Sequence, residues 1–251
     1  MKKIIMFVLL LAVFAGAKAQ TADAPSQSTS TGSFIGLLGG LSMPMGNFKN
    51  VRYYDTTSGF AGKGSTFGIE GAYFFSKYVG FGGMMSYTSF NVSTLGLDSI
   101  SRGYQLDFFS DQTSTTINSP YKIWTLMPGI YLRYPLSDKL SINGKVLAGL
   151  TIATTPNIEV DVWDGGVDDG IFRQLPCTTT ALGVVGGLGV SYNICKNIAV
   201  NLQGNYFYSK PDFFLENSNR QVKAGRLINE YNQPLTFMNF SLGLAYTFGK
   251  K

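Results

Sequence analysis

No histidine occurs in the 251 residues, and cysteine occurs only twice. The missing imidazole removes the commonest general base and the commonest metal ligand, so a Ser–His or Asp–His hydrolytic centre has no base to work with. Cys177 and Cys195 fall at opposite ends of one predicted strand. At about 3.3 Å per residue that separation far exceeds the ~7 Å between Cα atoms that a disulfide tolerates, so no internal bridge is expected. Charge is also scarce, and no block of Lys and Arg alternates with aromatics. Nucleic-acid binding therefore lacks its electrostatic footprint and is excluded as a partner class. The chain also lacks an apolar run long enough for a spanning helix. The run Ile4 to Ala15 is about a dozen residues, where a crossing helix needs about 20.

That short run follows Met1-Lys2-Lys3 and leads to Ala17-Lys18-Ala19 before Gln20. A positive end, a short apolar core and an A-x-A site make a secretory signal over residues 1–19, cut after Ala19. Gln20 stands where a lipoprotein would carry cysteine, so no lipid anchor is expected. Of the formal net charge of +5, Lys2, Lys3 and Lys18 supply three units, which leaves +2 after cleavage. Residues 20–32, QTADAPSQSTSTG, have too few hydrophobic side chains to bury a core and read as a flexible periplasmic tail.

From Ser33 onward the texture becomes one of period two. Met238, Phe240, Leu242, Leu244, Tyr246 and Phe248 share one parity, with Asn239, Ser241, Gly243, Ala245 and Thr247 on the other. A strand with one wholly apolar face must meet a protein core or lipid. The same alternation runs through Asn197 to Ser209 and Lys139 to Thr154. It is weaker in Ser33 to Met43, Ser65 to Phe75, Val79 to Phe90, Tyr121 to Tyr134 and Thr178 to Tyr192. Eight strands result, each long enough for the 9–11 residues of a tilted membrane strand.

The connections alternate. Ser76 to Tyr78, Pro135 to Asp138 and Asn193 to Lys196 are tight, whereas Pro44 to Gly64, Asn91 to Pro120, Thr155 to Cys177 and Pro211 to Pro234 are long and polar. Short periplasmic turns and long external loops are the pattern of outer-membrane barrels, and a soluble sandwich has no reason to lengthen every second connection. The expected fold over 33–251 is an all-β, eight-stranded antiparallel up-and-down transmembrane barrel. Trp124 and Tyr134 would bracket about 25 Å of membrane on one strand, with Tyr87, Tyr206 and Tyr208 in the external girdle and Phe75, Tyr192, Tyr246 and Phe248 in the periplasmic one.

Three charges fall on the inward parity: Glu70, Lys145 and, near the periplasmic end, Arg133. Glu70 and Lys145 lie at similar heights, and a barrel of eight strands is only wide enough for side chains to fill it. Pairing across the axis is the expected escape from isolated burial. It would serve as a structural plug, or alternatively as a gate on a solute path. Asp161, Asp164, Asp168 and Asp169 offer hard oxygen atoms but miss the EF-hand spacing, so they read as a solvated external loop. No catalytic, metal or cofactor residues are assigned.

The last strand, Ser241-x-Gly243-x-x-Tyr246-x-Phe248, resembles the C-terminal signal read by the barrel-assembly machinery, although Gly249-Lys250-Lys251 follows the phenylalanine. Ser33 to Phe248 as a whole resembles the small Bacteroidetes outer-membrane barrels, the porin-like and PorT-like families grouped with OmpX and the OmpA barrel. Gly40-Leu41-Ser42-Met43-Pro44 and Gly46-Asn47-Phe48 add to the likeness. The resemblance implies a Gram-negative outer-membrane location, with lipid, lipopolysaccharide and the assembly machinery as partners. The expected role is structural or interactive, with membership of an envelope or secretion complex alongside other envelope proteins as one form of it; the alternative is a passive channel for small, even apolar, solutes.

Overall fold

The period-two pattern is realised as eight long strands whose outward side chains are apolar on every strand. In the computed structural model, residues 33–214, 221–223, 226–228 and 230–248 are described. The predicted signal at 1–19, the tail at 20–32 and the last three residues lie outside them. The barrel strands are β1 (Ser33–Pro44), β2 (Ala61–Phe74), β3 (Val79–Val92), β5 (Tyr121–Pro135), β6 (Leu140–Thr154), β9 (Thr178–Asn193), β10 (Ile198–Ser209) and β15 (Leu235–Phe248). Each pairs antiparallel with its neighbours, and β1 closes on β15 from Ser33 opposite Phe248 to Pro44 opposite Phe237. Closure leaves no unpaired edge, which lipid would not hydrate.

The long connections are more ordered than a solvated loop. Between β1 and β2, the one-turn helix α1 (Gly46–Lys49) turns back into the barrel mouth. Gly46 sits at φ +54°, a left-handed conformation that glycine adopts without strain. Between β3 and β5 lie helix α2 (Thr94–Phe108) and strand β4 (Gln112–Ser119). Ser93 caps α2, its Oγ accepting from the Gly96 amide at 3.2 Å. Strands β7 (Asn157–Asp164) and β8 (Val167–Gln174) join β4 in a three-stranded sheet. The last long connection carries two short ladders: β11 (Asp212–Phe214) with β14 (Glu230–Asn232), and β12 (Gln221–Lys223) with β13 (Arg226–Ile228).

The acidic stretch predicted as a solvated loop is therefore corrected. Asp161 and Asp164 stand on β7, and Gly165 and Gly166, both at positive φ, make the two-residue turn into β8. Alternate residues Ile158, Val160 and Val162 are buried, which is what turned this segment into a strand. No group of three or more metal-ligating side chains occurs among the described residues.

Two apolar cores result. One lies in the lumen, densest at the end of the long connections; the other lies outside the barrel, where Tyr53, Phe60, Ile100, Tyr104, Val160 and Val162 pack together. The rings of Phe108 and Phe172 meet at 4.5 Å beside it. Three of the four long connections thus share a second core at one rim of the barrel.

Candidate functional site

The lumen is layered. At the end that carries the long connections, Phe48 from α1 is completely buried, 5.1 Å from Phe90 and 5.2 Å from Tyr121 between ring centres. Phe207 stacks on Phe237 at 4.3 Å, with Ile123, Met127 and Leu235 also fully enclosed. A side chain at Gly59 would strike the Phe48 carbonyl and ring, so this glycine allows the returning chain to lie on the plug. Tyr121 Oη donates to the Gly59 carbonyl and Gln233 Nε2 to the Thr57 carbonyl, both at 2.9 Å, tying the first connection to the barrel and to the last. Phe213, in the last of the long polar connections, is likewise buried and stacks on Tyr231.

Below the aromatic layer, β2 and β6 bring Glu70 and Lys145 together across the axis. Lys145 Nζ donates to Glu70 Oε2 at 2.6 Å. Both residues are about 5 % exposed, so the pair is dry and depends on further hydrogen bonds. Gln203 on β10 provides them: its Oε1 accepts from Lys145 Nζ at 2.6 Å and its Nε2 donates to Glu70 Oε1 at 3.0 Å. Met84 Sδ lies 3.8 Å from the ammonium. The three side chains form a closed ring of charge-assisted contacts. Gln203 lay on the polar parity in the sequence, but nothing there distinguished it from Asn201 or Asn205, because only strand shear decides which amide reaches the pair.

Arg133, grouped with these charges in the sequence, stands apart from that ring. Its guanidinium covers the Phe74 ring at 4.0 Å and the Phe34 ring at 5.9 Å, nearer the short-turn end. Between Arg133 and the ring lies a cavity of about 920 Å³, opening at the end that carries Lys77, Pro135 to Asp138 and Lys196. Among the described residues, the lumen is closed at the aromatic layer and open on the side of the tight turns.

In the layer built by the long connections, Tyr53 Oη donates to Asp107 Oδ2 at 2.8 Å. Burial, reinforced by the hydrogen bond and charge of Asp107, pushes the Tyr53 hydroxyl well above its ordinary range. Ser241, Gly243, Tyr246 and Phe248 all lie on β15: Ser241 is buried in the lumen, while Tyr246 and Phe248 are half exposed on the outer face near the short-turn end.

A closed barrel with an apolar exterior on all eight strands, aromatic residues at both rims and a packed interior defines an integral outer-membrane β-barrel protein. Residues 6–248 match the outer membrane protein beta-barrel domain family, and the chain belongs to it. Among solved structures, similarity extends to OprG from Pseudomonas aeruginosa (12 % identity, 88 % of this chain and 98 % of that one, TM-score 0.48). Neisserial surface protein A is similar at 12 % identity over 86 % and 97 % of the chains, TM-score 0.43. Ail, the attachment invasion locus protein of Yersinia pestis, is similar at 14 % identity over 86 % and 97 %, TM-score 0.38. No curated protein matches significantly in sequence.

Proposed function

We propose that this chain is a closed, non-conducting outer-membrane barrel whose task is to hold a folded external layer for interaction with other envelope components. The observation that carries this reading is the aromatic plug: Phe48, Phe90, Phe207 and Phe237 are essentially inaccessible and fill the external half of the lumen. A barrel meant to pass solute would not spend four aromatic side chains there, and eight strands enclose little more than such side chains occupy. The second core supports the interaction role, because a fixed external surface loses less entropy on binding than mobile loops would. Export would use cleavage after Ala19, and insertion the Ser241, Gly243, Tyr246 and Phe248 pattern. The resemblance of Ser33 to Phe248 to the small porin-like and PorT-like barrels supports an outer-membrane setting for this role.

Planar-bilayer recording of the purified full-length barrel tests this reading, with the expected trace showing no stable conductance steps. Large, long-lived channels would overturn it and leave passive transport, which the cavity on the short-turn side favours.

A further inference from the structure

Among the described residues, the outer faces of the eight barrel strands carry only two charges, Lys63 on β2 and Lys122 on β5. The other charged residues of those strands, Glu70, Arg133 and Lys145, line the lumen. Both lysines stand at the end that carries the long connections, on strands separated by β3 alone. Beside them on the wall, Phe67, Tyr87 and Trp124 are cross-strand partners on β2, β3 and β5, and the Tyr87 and Trp124 rings meet at 4.8 Å. At the next outward-facing position toward the long connections, the partners become Ser65, Ser89 and Lys122. The wall thus changes within about 7 Å of strand from aromatic rings to hydroxyls and an ammonium. Lys63 takes the following outward-facing position on β2, and Asn91 the one on β3. Two strand spacings of about 4.8 Å separate the lysines, so both side chains reach the space over Ser89 and Asn91. Both are exposed, and among the described residues neither has a salt-bridge or hydrogen-bond partner.

We infer that Lys63 and Lys122 clamp the phosphate of a membrane lipid in the leaflet at the long-connection end. Tyr and Trp settle at headgroup depth, which puts the two ammonium groups just beyond Tyr87 and Trp124 among the lipid phosphates. The phosphate oxygens accept from both ammonium groups, with the Ser89 hydroxyl and the Asn91 amide as further donors between them. A lipid fits better than free phosphate because the site is continuous with the bilayer face. From Ser89 an acyl chain runs along β3 over Tyr87 and Met85 to Gly83, where Gly83 and its partner Gly71 raise no side chain from the wall. A single exposed lysine needs no explanation. Two of them, one strand apart on a wall otherwise without charge, give one sector of the barrel an affinity that β1, β9 and β15, with no basic residue, do not share. The inference rests on the membrane setting of the barrel and not on the plug, so conductance leaves it untouched.

The test follows tryptophan fluorescence of the full-length barrel in phosphatidylcholine vesicles containing phosphatidic acid brominated in its acyl chains. Phosphatidylcholine brominated in the same way, at equal fraction, is the reference. Trp163 is the other tryptophan, so Trp124→Phe identifies the quenching that belongs to the site. Phosphatidic acid should be enriched beside Trp124 by about tenfold over the reference. Lys63→Gln and Lys122→Gln should each lower the enrichment by about a few fold and together abolish it, while Lys49→Gln on α1 leaves it unchanged. The double variant Lys63→Arg, Lys122→Arg should retain it. Heat-modified gel mobility checks that each variant is folded; should the double Gln variant fail that check, the single variants decide. Equal quenching by the two lipids, or enrichment that survives in the folded Gln variants, would overturn the clamp and leave the lysines merely reaching for water. Displacement of the brominated lipid by millimolar inorganic phosphate would overturn the lipid assignment in favour of a free anion.

Discussion

At the residue scale the most consequential choice is the buried ion pair. Lys145 and Glu70 have surrendered hydration for each other and for Gln203. Glu70→Gln should lower stability by about 3–5 kcal/mol because a buried ammonium then lacks its counterion. The double variant Glu70→Gln, Lys145→Met should cost less than Glu70→Gln alone, since no charge is stranded. Urea unfolding in lipid vesicles would measure both, and equal losses in the single and double variants would show that the pair is not coupled. Gly187 belongs to the same arrangement: a Cβ there would meet Asn205 Oδ1 and come within 2.9 Å of Lys145 Cε. Gly187→Ala should therefore disturb the ring although alanine is small, and Gly186→Ala, with nothing within 4 Å, should not.

At the element scale, α1, α2 and the β4–β7–β8 sheet decide what the barrel displays. Tyr53 couples the first connection to α2 through Asp107. Its hydroxyl titrates higher in the folded protein than the ordinary value of 10.0, so the folded state retains the proton longer. The resulting stabilisation is complete below pH 10 and is lost as pH rises beyond it. Protease accessibility of the external layer should increase above about pH 10 in the native protein, and less steeply in Tyr53→Phe. The β15 strand makes a second prediction. Replacing Tyr246 and Phe248 with Ser should lower the inserted yield far more than replacing Leu106 and Phe109, both exposed on α2 or just after it. Phe213 would be a poor comparator because it is buried. Equal losses, read by heat-modified mobility of membrane fractions, would deny the C-terminal pattern any part in assembly.

At the scale of the whole molecule, the apolar exterior requires lipid. Leu242 is 60 % exposed on β15, opposite Gly39 on one side and Leu202 on the other, about midway along the strand. Leu242→Arg should cost roughly 2–4 kcal/mol, the range for a cation facing mid-bilayer. A charge at Phe248, near the rim, should cost less because it can reach the interface. Equilibrium folding into vesicles would rank the two, and a reversed order would displace the assumed membrane midplane.

The sequence determined every barrel strand. Period-two alternation in a segment such as Met238 to Phe248 is a local property, and the alternation of short and long connections required both strand ends to be arranged as they are. It also marked Glu70 and Lys145, because a charge on an inward parity is conspicuous one strand at a time. Gln203 was not legible, since choosing it over Asn201 or Asn205 needs the relative shear of β2, β6 and β10, which only barrel closure sets. The external layer escaped for a related reason. Tyr104 belongs to α2, and Val160, Val162 and Phe172 to the β7–β8 hairpin, with the barrel strands β5 and β6 between them in the chain. The alternation of Ile158, Val160 and Val162 is a local strand pattern, but what covers that face is decided only once the barrel has gathered its loops at one rim.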